Sequence, residues 1–104
     1  MVLKDHLASL GYNVVGESKD ISDFIEKYEG LRPNIVVVDS MIPGLDGVAA
    51  ITRLLALDAE AKVIMVVASG QRGLAMQALS AGAKDFVVKP VNFQQLRKAL
   101  LNAA

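Results

Sequence analysis

Apolar positions along the chain follow two alternating patterns, one helical and one typical of buried strands. Apolar side chains three and four residues apart predict amphipathic helices, and unbroken runs rich in Val and Ile predict strands buried on both faces. The predicted helices are 2–10, 21–28, 48–55, 74–81 and 93–100, and the predicted strands are 13–17, 34–39, 61–68 and 85–89. This strict alternation indicates an α/β fold in which helices cover both faces of a parallel sheet.

Polar residues and a glycine mark the ends of several predicted helices. Asp46 precedes the third helix and Asn92 the last one, and side-chain oxygens of Asp and Asn accept hydrogen bonds from the first turn of a helix. Gly82 follows the fourth helix, where a residue that tolerates a left-handed backbone is favoured. These positions fix the boundaries of the predicted elements.

The composition of the chain disfavours several classes of function. The 104 residues fit one domain, and 53% of them are hydrophobic. Eleven basic and eleven acidic residues balance, which disfavours nucleic acid as a direct partner. With no Cys and one His, thiolate chemistry and a His-based zinc site are disfavoured. No apolar run is long enough to span a membrane and the N-terminus lacks a secretory pattern, so we expect a cytoplasmic protein without a membrane partner.

Three residues with reactive side chains follow predicted strands. Asp39 ends one strand, Ser69 follows the next, and Lys89 closes the last. In open α/β sheets, sites lie beyond the carboxyl ends of the strands. We therefore expect a carboxylate, a hydroxyl and an ammonium to converge on one edge of the sheet.

Two sequence motifs resemble those of a known family. Residues 39–47 read DSMIPGLDG, and residues 81–90 read AGAKDFVVKP. Both resemble the response-regulator receiver domains of two-component signalling, typified by single-domain chemotaxis regulators, and the resemblance runs from Val2 nearly to the end. It implies a single flavodoxin-like (CheY-like) domain over 1–104 that acts in phosphorelay signalling and is not an enzyme.

The resemblance also implies roles for individual residues. Asp39 matches the phosphoacceptor, which receives a phosphoryl group from a sensor histidine kinase or a small phosphodonor and signals to a downstream target protein. Lys89 matches the lysine that pairs with that carboxylate, and Pro90 a proline that often follows a cis bond. Phe86 matches the aromatic switch position, and Met41 the residue whose backbone carbonyl joins the aspartate as a Mg²⁺ ligand.

The chemistry of phosphoryl transfer is consistent with these roles. A carboxylate accepts a phosphoryl group only if the charge that gathers on the transferred group is neutralised. A lysine ammonium and a divalent cation are the usual means.

The sequence departs from the family pattern at two places. Receiver domains open with an apolar strand that ends in an acidic pair, whereas this chain opens in the first predicted helix. Asp39 and one carbonyl make a poor magnesium site, so we expect weak Mg²⁺ binding and impaired phosphorylation. At the family position of the switch hydroxyl stands Val67, and Ser69, two residues later, is a weak substitute candidate.

The expected sheet therefore has four strands instead of five. The missing strand is central in the family, and its apolar burial is comparable to the whole stability of a typical domain. We expect that the strands of the sheet are rearranged or that another chain completes the sheet. The expected partner is a second copy of this chain, in a homo-oligomer.

Two further classes of function compete with the receiver. The alternative is a phosphorylation-independent interaction or oligomerisation module, which Val67 and the missing acidic pair favour. A flavin-binding protein or enzyme on the same architecture is disfavoured, because no Gly-rich phosphate loop follows any predicted strand.

Overall fold

The computed structural model describes residue 11, residues 21–40 and residues 46–103. Within these ranges, four helices alternate with three strands. In chain order they are α1 (Ile21–Leu31), β1 (Val36–Asp39), α2 (Gly47–Leu57), β2 (Val63–Val67), α3 (Arg72–Ala81), β3 (Asp85–Val88) and α4 (Phe93–Ala103). The helix predicted at 2–10 and the strand predicted at 13–17 lie outside the described residues, so the expected rearrangement of the sheet stays a prediction.

The three described strands form one parallel sheet in the order β1-β2-β3. Val38 is in register with Met65, and Met65 with Phe86. All five residues of β2 are buried, as the unbroken apolar run predicted for a strand inside a parallel sheet. Among the described strands, β1 and β3 therefore flank the wholly apolar β2.

Side chains alternate between the two faces of the sheet, and helices cover both. On one face, α2 and α3 pack against alternate residues of β1 and β2. The buried residues on this face include Val36, Val38, Ile51, Leu54, Val63, Met65, Val67, Ala75 and Ala78. On the other face, α4 covers Ile64 and Val87 with Leu96, Ala99, Leu100 and Ala103. The predicted layering of helix, sheet and helix is confirmed.

The predicted helix boundaries have a clear local cause. Asp46 accepts a hydrogen bond from the Ala49 N–H at 3.1 Å and so caps α2. Asn92 accepts from the N–H groups of Gln94 and Gln95 at 2.9 and 3.1 Å and so caps α4. Both predicted N-caps are confirmed.

Gly82 ends α3 in a left-handed conformation, with φ at 115°. A Cβ atom at this position would lie 2.5 Å from Leu55 Cδ1 on α2. The glycine therefore provides both the turn and the close approach of α3 to α2.

At the opposite end of the sheet from Asp39, a polar cluster of Tyr28, Arg32 and Asp58 joins the ends of α1 and α2. The Tyr28 hydroxyl donates to Asp58 Oδ2 at 2.6 Å. Arg32 lies 3.3 Å from the same oxygen, and its guanidinium carbon is 5.4 Å from the centre of the Tyr28 ring. This Tyr28 cluster holds together the segments that lead into β1 and β2.

The contacts of the Tyr28 cluster shift two pKa values in opposite directions. Burial, followed by the bond to the Asp58 carboxylate, raises the pKa of Tyr28. The hydrogen bond from Tyr28, followed by one from the Glu60 N–H, lowers the pKa of Asp58. Both shifts favour the pair as it stands, a protonated phenol that donates to a carboxylate.

None of the helices in the described ranges is both long enough and apolar enough to cross a membrane.

Candidate functional site

The backbone of β2 anchors both charged residues predicted for the site. Asp39 is the last residue of β1, and Lys89 immediately follows β3. The N–H of Ser40, next to Asp39, donates to the Val66 carbonyl at 2.9 Å, and the Lys89 N–H donates to the Val67 carbonyl at 2.8 Å. Two successive carbonyls of the central strand therefore fix the positions from which the two side chains extend.

Asp39 and Lys89 form an ion pair across the carboxyl end of β2. The Lys89 ammonium lies 2.9 Å from Asp39 Oδ2. Their strands are not neighbours, since β2 separates them by two strand spacings of about 4.8 Å each. The four-carbon stem of lysine spans this gap. The structure thus brings together the carboxylate and the ammonium that the sequence placed at one edge.

The ion pair is accessible from solvent. The Asp39 side chain keeps 25% of its surface exposed and that of Lys89 keeps 35%. Because both side chains are partly exposed, a small molecule or a partner side chain can approach the carboxylate without opening the core. The peptide bond that follows Lys89 is cis.

Ser69 lies in a turn rather than in the strand. β2 ends at Val67, and a bond from the Gln71 N–H to the Ala68 carbonyl closes the turn, with Gly70 at a φ of 93°. In an extended chain Ser69, two residues after Val67, would point to the same face as Val67, but here the chain turns after Ala68. Ser69 is exposed and Val67 is fully buried. A switch role for Ser69 stays a prediction.

Sequence reasoning missed a second polar contact at this edge. The Gln71 side-chain oxygen accepts a hydrogen bond from the Ser40 hydroxyl at 2.8 Å and one from the Ala68 N–H at 2.7 Å. The available signals were a serine directly after β1 and a long amide side chain directly before α3. Neither signal identifies its partner, which is why the contact was not predicted.

Phe86 is partly buried and packs against the core that α2 and α3 share with the sheet. Its neighbour in register on β2 is Met65. The structure thus places Phe86 on the α3 side of the sheet, and its switch role stays a prediction. Met41, the predicted carbonyl ligand, lies outside the described residues.

The described residues do not by themselves make a metal site. Asp39 provides one carboxylate, and no group of three His, Cys, Asp or Glu side chains suited to a metal ion occurs within the described ranges. Mg²⁺ prefers six oxygen ligands in octahedral geometry and can take some of them from water or substrate phosphates.

Comparison with known proteins agrees with this fold. The family model described as the response regulator receiver domain matches residues 1–101. The chemotaxis protein CheY of Thermotoga maritima is 40% identical over 100 residues, which cover 96% of this chain and 83% of that protein.

Solved structures are similar over nearly the whole chain. The receiver domain of NtrX from Brucella abortus matches with a TM-score of 0.90 at 23% identity, over 98% of this chain and 86% of that one. The CheX–CheY–BeF3–Mg²⁺ complex from Borrelia burgdorferi matches with a TM-score of 0.84 at 31% identity, over 95% of this chain and 75% of that one. The first likeness bears on the fold alone.

Proposed function

The chain belongs to the response regulator receiver domain family of two-component signalling, and from this premise we propose that Asp39 is its phosphoacceptor. The observation that carries the proposal is the 2.9 Å contact between Asp39 Oδ2 and the Lys89 ammonium. It joins a nucleophilic carboxylate to a fixed positive charge at a solvent-accessible edge.

The proposed reaction is an in-line transfer of a phosphoryl group. An Asp39 carboxylate oxygen attacks the phosphorus of a phosphohistidine on a sensor kinase, or of a small phosphodonor. The new P–O bond forms as the bond to the leaving group breaks, and the leaving group departs with that electron pair. The imidazole of a phosphohistidine takes a proton from solvent as it leaves, whereas acetate leaves acetyl phosphate as the anion. Receiver domains are signalling domains, so the phosphorylated Asp39 is here a signal for a downstream target protein.

Lys89 supplies the electrostatic part of this reaction. Negative charge builds up on the transferred oxygens, and a positive group already in place stabilises it without reorganisation. The product carries about −1.5 to −2 charge where one carboxylate stood, which increases the attraction to the ammonium. Lys89 therefore favours both the transfer and the phosphorylated state.

Mg²⁺ dependence is a separate part of the proposal. Receiver domains of the CheY family generally bind Mg²⁺. In this chain we propose weak binding and impaired phosphorylation, which is supported by the lack, within the described residues, of a group of three His, Cys, Asp or Glu side chains suited to a metal ion. A titration of adduct yield against Mg²⁺ tests this, and full yield at stoichiometric Mg²⁺ would contradict it.

Intact-mass measurement after incubation with acetyl phosphate and Mg²⁺ tests the acceptor. The parent chain should gain the mass of one phosphoryl group and Asp39→Asn should not. Asp46→Asn is the matched control, because Asp46 follows the same strand and Asn also caps helices well. An adduct of equal yield on Asp39→Asn would reject the assignment.

The second candidate is an interaction module that works without phosphorylation. Val67 favours it, because this buried valine stands where the resemblance places a switch hydroxyl. The absence of any adduct on the parent at high phosphodonor and Mg²⁺ would support this candidate over the first. Self-association also stays a prediction, and sedimentation that shows a compact monomer would contradict it.

A further inference from the structure

Three residues at the carboxyl edge of the sheet form a contact that the proposed reaction does not use. The Gln71 side-chain oxygen receives the Ser40 hydroxyl at 2.8 Å and the Ala68 N–H at 2.7 Å. We name this set of Ser40, Ala68 and Gln71 the Gln71 clasp. It joins the connection after β1 to the turn between β2 and α3.

The chemistry of the partners fixes the direction of both hydrogen bonds. A backbone N–H can only donate, so the Gln71 atom that faces Ala68 is the carboxamide oxygen. The same oxygen lies 2.8 Å from Ser40 Oγ, and the hydroxyl is therefore the donor there. One acceptor thus holds donors from two separate connections.

The Gln71 side chain forms the clasp instead of the hydrogen bond to the helix that is usual at its position. It occupies the N-cap position of α3, where a side chain commonly accepts from the first turn of the helix, but it makes no such bond. The side chain instead reaches across to Ser40, a residue 31 positions earlier in the chain.

The clasp links Asp39 to the start of α3 by a short path. Ser40 follows Asp39 directly, and its N–H is bound to the Val66 carbonyl at 2.9 Å. On the other side, Gln71 directly precedes α3, whose residues Ala75 and Ala78 are fully buried in the core. A displacement of Ser40 therefore acts on the first turn of a well-anchored helix.

We propose that Gln71 is the positioning residue that couples the phosphorylation state of Asp39 to the first turn of α3. The proposal rests on the proposed function. A phosphoryl group at Asp39 brings charged acceptor oxygens next to Ser40, and charged acceptors form stronger hydrogen bonds than an amide oxygen does. The clasp weakens as the Ser40 hydroxyl is drawn away, and the turn before α3 is released.

Hydrogen exchange with and without acetyl phosphate, followed by mass spectrometry, tests the coupling. Intact mass of each sample reports the adduct independently. In the parent, phosphorylation should speed exchange of the amides at 68–75 several-fold. Gln71→Leu removes the acceptor at similar size, so these amides should exchange fast without the phosphodonor and should not respond to it, although the adduct still forms.

Two variants separate coupling from a general effect on the fold. Gln71→Glu keeps an acceptor oxygen and should restore a phosphodonor-dependent change. Gln77→Leu makes the same replacement at an exposed position of the same helix and should behave as the parent does. Ser40→Ala removes one donor without touching α3 and should reduce the response, which keeps the test decisive if Gln71→Leu is unstable.

The outcomes distinguish the coupling from the acceptor assignment. An adduct on parent and Gln71→Leu with the same exchange response in both overturns the coupling and leaves Asp39 as the acceptor. An adduct on the parent with no exchange response at 68–75 does the same. If neither chain acquires an adduct, the proposed function is wrong and the coupling falls with it.

Discussion

Lys89 extends from a strand that does not touch the strand of Asp39, yet its ammonium reaches the carboxylate. Two adjacent carbonyls of β2 hold the backbone at both ends of this bridge. With 25% and 35% of the two side chains exposed, solvent screens the pair, and its contribution to stability is at most about 1 kcal/mol. In the proposed function, the contribution of this ion pair is therefore electrostatic rather than structural.

Replacement of the Lys89 ammonium should lower the rate of phosphorylation of Asp39 much more than it lowers the stability of the fold. In Lys89→Met we expect the rate of adduct formation to fall about 100-fold, as removal of one preorganised charge-stabilising group typically does. The rate is measured as intact mass against time with acetyl phosphate. Lys98→Met, an exposed lysine on α4, is the control and should keep the parent rate. Equal rates in Lys89→Met and the parent would refute the role of Lys89.

At the residue scale, the sequence identified the groups that end strands. Asp39 and Lys89 were predictable because the carboxyl ends of parallel strands share one edge. The Ser40–Gln71 bond was not, because a contact between residues 31 apart depends on side-chain length and on the path of the turn. Gly70, with its positive φ, belongs to the turn that follows β2, and Ser69 lies in the same turn rather than in the strand.

Among the elements, α1 and α2 are tied together at their carboxyl ends by the Tyr28 cluster. The sequence predicted both helices from their apolar spacing. The bond to Asp58 was not predicted, because it links helices whose relative placement only the sheet determines. Element identity is thus a local property of the sequence, whereas the polar contacts between elements are not.

Removal of the Tyr28 hydroxyl should destabilise the fold in a pH-dependent way. We expect Tyr28→Phe to cost about 1 kcal/mol at neutral pH, the usual net value of one hydrogen bond. This corresponds to a fall of about 4–8 °C in Tm for a domain near this size. Thermal unfolding followed by circular dichroism measures the difference between the variant and the parent.

The pH dependence has a definite sign. Because the pKa of Asp58 is lowered from its usual 3.8, its contribution to stability is present above that value and is lost as pH falls through the folded-state pKa. Because the pKa of Tyr28 is raised from 10.0, its contribution is present below that value and is lost as pH rises through the folded-state pKa. The difference between parent and Tyr28→Phe should therefore shrink in both windows.

Thr52→Val provides the control for this prediction. The Thr52 hydroxyl donates to the Val48 carbonyl within α2, a group that does not titrate. Its removal should change Tm by an amount that does not vary with pH. A Tyr28→Phe effect as constant with pH as that of Thr52→Val would show that the Asp58 bond does not contribute.

On the scale of the whole molecule, burial on two faces of one sheet organises the described part of the chain. The sequence predicted this layering because β2 is apolar without alternation, and a strand of that kind needs cover on both sides. It also correctly placed helices after each described strand. The predictions for 2–10 and 13–17 concern residues outside the described ranges.

The second face of the sheet gives the sharpest test of the architecture, because two adjacent leucines of α4 differ in burial. Leu100 is 1% exposed and packs with Leu96 and Val87, whereas Leu101 is 61% exposed. Leu100→Ala should cost about 2–5 kcal/mol, since it removes packed atoms and leaves a cavity. Leu101→Ala should change the free energy of unfolding by less than about 0.5 kcal/mol.

Urea unfolding followed by circular dichroism measures both changes, with an unchanged slope against urea as the sign that only stability differs. A loss of that size is a large share of the roughly 5–15 kcal/mol that holds a typical domain together. Leu100→Ala should therefore lower the unfolding midpoint of the whole molecule in one transition. Equal effects of the two replacements would mean that α4 does not cover the sheet through Leu100, and the two-faced architecture would be wrong.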